Sequence, residues 1–150
     1  MISVKVDFKD LTNYIEKISQ KKNLFQNISD YLTNPQEEGT FYHHFDNYGN
    51  QPGRLWADLK ASTIRDKQRK GYDVYPMLVR NGRLQDSFLK GNENINNISD
   101  DYLEFGSRNP YAQYHENGTP NMVRRQLLYT EDEVFISRIE KIMQDFVSEN

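Results

Sequence analysis

The stretch INNISDDYLEF, residues 95–105, decides the fold class, because two short apolar runs flank a polar turn. In the second run Leu103 and Phe105 share one face and their neighbours share the other, which is the alternation of a strand with one solvated face. A third run, residues 87–90, precedes the other two. Clusters of Gly, Asn, Ser and Asp separate the three runs, so the pattern predicts an antiparallel meander whose apolar face is covered by helices.

Two helices are predicted on the C-terminal side of this meander. The segment 110–117 begins with proline and is followed by Gly118, which are typical residues for the start and end of a helix. Thr130 and Glu133 then have the spacing of a capping box. The helix that they introduce carries one apolar stripe: Phe135, Ile139, Ile142, Met143 and Phe146.

A strand and two helical stripes are predicted on the N-terminal side. Ile2, Val4 and Val6 alternate with polar residues and indicate an N-terminal strand. Asp7 is a candidate N-cap for the helix that follows. Apolar residues then recur at helical spacing in two groups, and Asn34-Pro35 interrupts the second: Leu11, Ile15 and Ile18; Leu24, Ile28, Tyr31 and Leu32.

The middle of the chain is read as short helices separated by turns. Residues 40–48 predict a helix, and Gly49 after it can adopt the left-handed conformation that ends many helices. Asn50 to Gly53 and Asn81-Gly82 have turn composition. The region around 49–75 is polar with little apolar periodicity, and we expect it to be flexible until assembly.

The fold class that follows is α+β, in one domain spanning residues 1–150. A small antiparallel sheet, made of the meander and the N-terminal strand, packs against N-terminal and C-terminal helices. With 150 residues and 13% aromatic side chains, one domain can bury a sizeable core. No apolar run approaches membrane-spanning length, so we expect no membrane partner. The chain has no cysteine, which favours a reducing compartment and excludes disulfides and thiolate metal ligands.

The charge balance argues against nucleic acid as the main partner. Nineteen basic and 22 acidic side chains give a formal net charge of −3, the wrong sign for binding by counterion release. One basic run stands out at Arg65, Lys67, Arg69 and Lys70. On an exposed helix such a run is usually a solvated face, but nucleic-acid binding through it remains an alternative function.

The residues that could support catalysis do not form a recognisable motif. His43 and His44 are adjacent, so they point about 100° apart on a helix and do not converge on one ion, and His115 is distant in sequence. No Gly-rich phosphate loop and no nucleophile elbow occurs. We therefore expect no enzyme activity, no cofactor and no metal, with a small metal-dependent hydrolase as the third alternative.

The order of short motifs between Phe45 and Leu128 resembles the virion morphogenesis family of phages, the tail-completion proteins of contractile-tailed phages and Mu-like prophages. The shared residues, in chain order, are Pro52, Gly53, Trp56, Leu59, Thr63, Lys67, Gly82 and Leu84 of a Gly-X-Leu step, Ser87-Phe88, Gly106, Tyr111-Ala112, Tyr114-His115 and Gly118. The family usually closes this region with Pro-Ala-Arg-Pro and an aromatic residue. Here residues 122–126, Met-Val-Arg-Arg-Gln, keep only the arginine.

This resemblance implies a structural role without chemistry. Proteins of that family finish the end of the tail that meets the head. The implied partners are other phage tail or neck proteins and further copies of this chain, in a ring, such as a hexamer, that matches the sixfold symmetry of the tail. The implied location is the host cytoplasm during assembly and the virion tail afterwards.

A ring of identical subunits needs two different patches that fit each other, and aromatic and arginine side chains near turns are the usual anchors of such patches. A lone tryptophan such as Trp56 is more often part of its own core. Two adjacent arginines are unlikely to be buried together, which favours a polar contact with a partner. The candidate partner-interface residues are Arg54, Trp56, Tyr111, Tyr114, His115, Arg124 and Arg125.

Overall fold

The computed structural model describes residues 1–6, 21–49 and 55–149. This part of the chain is α+β, with six helices and one three-stranded antiparallel sheet. The elements in chain order are β1 (Ile2–Val6), α1 (Lys21–Leu32), α2 (Phe41–Tyr48), α3 (Ala61–Arg69), α4 (Arg83–Asp86), β2 (Asn94–Ile98), β3 (Leu103–Ser107), α5 (Pro110–Asn117) and α6 (Glu133–Glu149).

The sheet has the order β1-β3-β2, with both pairs antiparallel. Phe105 in the central strand lies opposite Val4 on one side and Asn96 on the other. β2 and β3 form the predicted hairpin, and β1 confirms the predicted N-terminal strand. Leu103 and Phe105 are buried, as their alternation predicts.

The prediction of a strand at residues 87–90 is wrong. These residues follow α4 in turns, and their amides donate to carbonyl oxygens of that helix. Ser87 N donates to Arg83 O at 3.1 Å, and Leu89 N donates to Asp86 O at 2.9 Å. Amides engaged in helical bonds are not free to form a sheet ladder, so the third strand comes from the N-terminus instead.

Gly106 in β3 allows β1 to lie close. A Cβ atom at this position would stand 2.3 Å from the carbonyl oxygen of Ile2 and 2.5 Å from Cα of Ser3. The main chains therefore approach closely where only hydrogen fits. This glycine is one of the residues that carry the family resemblance.

The helices at the two ends of the described chain pack against each other. The predicted stripe of α1 is buried, and the helix ends at Leu32, just before Asn34-Pro35, as predicted. Phe135 and Phe146 of α6 are buried, and the remaining members of its predicted stripe pack against the core. The helix that was predicted after Asp7 lies outside the described residues.

The start of α6 differs from the predicted capping box. The side chain of Asp132, not of Thr130, accepts the hydrogen bond of the Phe135 amide at 2.9 Å. Because α6 begins at Glu133, the residue just before it has the capping position. The same carboxylate accepts a hydrogen bond from the hydroxyl of Tyr48, which ties α6 to α2.

Helix α2 is confirmed, with Thr40 accepting at its N-terminus, but the reason for Gly49 is different from the one predicted. Its φ is −112°, so it is not left-handed. A Cβ atom there would lie 2.8 Å from ring carbons of Trp56. The glycine makes room for the indole ring, which packs edge-on against Phe45 at a centroid distance of 5.4 Å.

The polar region after Trp56 contains an ordered helix, α3, over part of the segment that we expected to be flexible. Residues 50–54, which include the predicted turn and Arg54, lie outside the described residues. The expectation that the region is flexible before assembly stays a prediction. Among the described residues, no helix has both the length and the apolar character needed to cross a membrane.

Candidate functional site

A cleft of about 670 Å³ lies between α3, α4 and α5 and the loops beside them. Its volume is in the range of ligand and peptide sites in proteins. The side chains that line it are a mixture of apolar residues, amides and cations. The cations among its described lining residues are Lys60, Lys67, Arg80, Arg83 and Arg125, and no carboxylate occurs among those residues.

Lys67 is the most deeply buried of the cations that line this cleft among the described residues, with an exposed fraction of only 1%. Its ammonium group donates to the carbonyl oxygens of Val74 at 2.8 Å, Met77 at 3.1 Å, and Pro76 and Val79 at 3.2 Å. An ammonium group has three N–H bonds, so four oxygens at this range share them. Burial lowers the pKa of Lys67, and the nearby charge of Arg80 lowers it further.

The burial of Lys67 corrects the expectation of a solvated basic face on α3. The charges of Arg69 and Lys70 are exposed but paired with Asp66, at 2.9 Å each. Arg65 is exposed. The basic run therefore does not form one continuous cationic surface.

The two adjacent arginines of the candidate interface have different environments. Arg125 is buried, and its Nε and Nη2 atoms donate to the carbonyl oxygens of Ala57 and Asp58, both at 2.8 Å. Arg124 is exposed and donates to the carbonyl oxygen of Glu116 at 2.8 Å. Successive residues of an extended segment point to opposite sides, so only Arg125 lines the cleft.

His115 lies in the same wall as Arg125. Its Nδ1 atom is buried and has no hydrogen-bond partner among the described residues. Burial lowers the pKa of His115 to about 4, and the positive charge of Arg125 adds to this shift. The imidazole is therefore neutral at physiological pH, and it adds a polar atom but no charge to the cleft.

Two of the exposed cations at the cleft have carboxylate partners outside it. Arg80 pairs with Asp66 at 3.2 Å, and Arg83 pairs with Glu93. Lys60 instead donates to the carbonyl oxygen of Asn121 at 3.3 Å. Lys60, Lys67 and Arg125 thus hydrogen-bond to carbonyl oxygens, which orient a cation without cancelling its charge.

The other candidate interface residues are divided between surface and core. Tyr111 lines the cleft and is 58% exposed. Tyr114 is also exposed but does not line the cleft among the described residues. Trp56 is 2% exposed and donates from Nε1 to the carbonyl oxygen of Gln126 at 2.8 Å, so it packs in the core and is not a surface anchor. Arg54 lies outside the described residues.

The histidines of α2 diverge as their adjacent positions predict. His43 is near the surface with Nε2 2.7 Å from the carbonyl oxygen of Pro35, while His44 is buried and stacks on Tyr48 at 4.6 Å. Burial lowers the pKa of His44 to about 4. In the part of the chain that the structure describes, no three His, Cys, Asp or Glu side chains are grouped so that they could hold a metal ion.

Sequence reasoning missed Lys67 and Lys60 as cleft residues. The available signal was spacing: Lys67 follows the partly buried Thr63 and Ile64 by four and three residues, so it lies on the inner face of α3. The positive charge of Lys67 instead led to its interpretation as part of a solvated face of the helix. Nothing in the sequence indicated that carbonyl oxygens of the loop after α3 would surround the ammonium group.

The residues that carry the family resemblance converge on this cleft. Seven of them line it: Leu59, Thr63, Lys67, Gly82, Leu84, Tyr111 and His115. They come from three helices and the loops between them. Comparison of the chain with models of protein families, with curated proteins and with solved structures finds no match.

Proposed function

We propose that this chain is a structural protein of phage virion morphogenesis that completes the tail or joins it to the head. It works through protein contacts with tail or neck proteins and with its own copies. The observation that carries the proposal is the convergence of seven resemblance residues on one cleft. If members of the family bind their partners through the same surface, the residues that they share should lie together on that surface even where they are far apart in the sequence.

The chemistry of the cleft favours a protein partner. Its cations are interleaved with apolar side chains such as Leu59, Leu78 and Val123. Such a surface is complementary to a segment that carries carboxylates beside aliphatic residues, because both kinds of contact form together. A surface for a nucleic-acid backbone would be more uniformly cationic, and the net charge of −3 opposes binding to it.

The described residues offer little support for the alternative functions. Arg69 and Lys70 are paired with Asp66, and Lys67 is buried, which weakens a nucleic-acid surface on α3. His43 and His44 lie on different sides of α2, and His115 belongs to the cleft. These arrangements do not favour a hydrolase site that uses the three histidines together.

Deletion of the gene from the phage or prophage that carries it tests the proposal. We expect induced lysates to contain complete heads and separate tails by electron microscopy, with infectivity lost. A plasmid copy of the wild-type gene should restore joined particles. Normal, infectious virions from the deletion strain would rule out this function.

A further inference from the structure

The exposed flank of α6 has the opposite character to the cleft. Glu133, Ile136, Glu140, Gln144 and Val147 are all exposed. They follow one another by three or four residues, so they form a single stripe along one side of the helix. Ile136 and Val147 are 42% and 40% exposed. The stripe therefore offers carboxylates and aliphatic side chains together.

The carboxylates of this stripe are not engaged elsewhere in the described structure. Neither Glu133 nor Glu140 forms an ion pair with another described residue, whereas Lys141 pairs with Asp145 on a different side of the helix. Within the described structure their charge is available to a partner. A partner that pairs with these carboxylates would also cover the exposed parts of Ile136 and Val147.

The distribution of charge makes a second copy the best complement. Without the five cations of the cleft, the chain carries 14 basic side chains against 22 acidic ones. Arg80 and Arg83 share their charge with Asp66 and Glu93 at the edge, so Lys60, Lys67 and Arg125 give the cleft most of its positive charge, and another copy of this acidic protein supplies the surface that they attract. No residue of α6 lines the cleft among the described residues, so one subunit can use both surfaces at once.

Resting on the proposed function, we infer that the cleft of one subunit binds the α6 stripe of the next, with Lys60 and Arg80 facing Glu133 and Glu140. Ile136 and Val147 cover the apolar wall of the cleft. The contact joins two different patches, so it is heterologous and repeats from subunit to subunit. Closure of that repeat produces a ring.

Two charge-reversal variants test this contact. The first, K60E with R80E, disables the cleft and leaves the stripe intact. The second, E133K with E140K, disables the stripe and leaves the cleft intact. All four side chains are exposed or nearly half exposed, so the variants should fold, and circular dichroism with thermal unfolding checks that they do.

Sedimentation velocity at 1–200 µM protein in 150 mM salt is the measurement. We expect wild-type protein to form larger species as its concentration rises, and each variant alone to need at least about tenfold more protein. An equimolar mixture of the two variants should again form larger species, because the wild-type stripe meets the wild-type cleft and the reversed cleft meets the reversed stripe with exchanged charges. The control K5E with K90E changes the net charge as much as the cleft variant does, and by itself it should associate like wild-type protein.

Three results would overturn the inference: wild-type protein that is monomeric throughout, variants that each associate like wild type, or a mixture that associates no more than either variant alone. The inference would also be overturned if wild-type protein bound a 20-base-pair DNA at the same salt concentration and the variant K60E with R80E did not. The gene deletion separates the two proposals. Unjoined heads and tails together with a monomeric protein would leave the proposed function standing and remove this interface.

Discussion

The ammonium group of Lys67 donates a hydrogen bond of 2.8 Å to the carbonyl oxygen of Val74, seven residues further along the chain. The same group reaches three more carbonyl oxygens before residue 80. One side chain of α3 thereby orders the connection to α4, where residues 76–79 have no regular secondary structure. That connection forms part of the wall of the cleft.

Replacing Lys67 with methionine should lower the free energy of unfolding by about 2–4 kcal/mol, because buried carbonyl oxygens lose their donor. Methionine keeps the length of the apolar stem. Urea unfolding followed by circular dichroism measures the change, and faster amide exchange at residues 74–79 should accompany it. The matched control is Arg69→Met in the same helix, whose side chain is 76% exposed and whose loss should cost less than about 1 kcal/mol. Equal losses for the two variants would contradict the ordering role of Lys67.

Gly49 should tolerate a methyl group only when Trp56 is made smaller. Gly49→Ala places Cβ 2.8 Å from the indole ring, and such overpacking costs about 1–3 kcal/mol. In a Trp56→Leu background the same change should cost less, and the cost that remains comes from the backbone oxygen of Phe45, 2.9 Å from the added Cβ. Thermal unfolding of the four proteins in this double-mutant cycle measures the coupling, and additive losses would show that the two positions do not contact.

Asp132, not Thr130, should control the start of α6. Asp132→Ala removes the acceptor of both the Phe135 amide and the Tyr48 hydroxyl, which should cost about 2 kcal/mol. Thr130→Ala should change the free energy of unfolding by less than about 0.5 kcal/mol. Urea unfolding of the two variants compares them directly. A larger loss for the threonine variant would restore the capping box that the sequence suggested.

Two buried imidazoles should make the protein less stable in mild acid. The pKa values of His44 and His115 are lowered to about 4, below the ordinary value of 6.5. Below pH 6.5 the unfolded chain binds protons that the folded chain does not bind. Stability is therefore full above that pH and falls as the pH approaches 4, by at most about 1.4 kcal/mol per pH unit for each histidine.

Urea unfolding between pH 7 and pH 5 isolates this effect from the titration of most carboxylates. His115→Gln should give a shallower loss of stability over this interval than wild-type protein, since one of the two histidines no longer titrates. His43→Gln is the control, because that side chain is near the surface. An unchanged slope for His115→Gln would show that its imidazole is not held neutral by burial.

The helices and strands that were predicted correctly are those whose signals lie within their own segment of the sequence. The hairpin of β2 and β3, the N-terminal strand and helices α1, α2, α5 and α6 follow from alternation, helical stripes and end signals within each segment. Residues 87–90 misled because a short apolar run has no period long enough to distinguish a strand from a turn after a helix. The capping box failed because Thr130 and Asp132 are both good N-cap residues and the boundary depended on the contact with Tyr48.

Among the candidate interface residues, too, only those whose environment depends on nearby sequence could be placed correctly. Tyr111 and Tyr114 could be placed at the surface from their position in a short helix after a turn, and both are exposed. Arg124 and Arg125 could not be separated, because the direction of each side chain depends on the carbonyl oxygens of residues 57 and 58, more than sixty positions earlier. Trp56 was assigned to both core and interface, and its packing against α2 decides for the core.

By itself the sequence determined the α+β class, the positions of most helices and strands, and the order of motifs that resembles a phage assembly family, since all of these depend on neighbours in the chain. Tertiary structure alone decided that Lys67 is buried and that seven of the motif residues meet in one basic cleft. The physical reason is that burial and charge pairing are set by groups distant in sequence. A lysine side chain can be either solvated or enclosed by carbonyl oxygens, and only the folded chain supplies those oxygens.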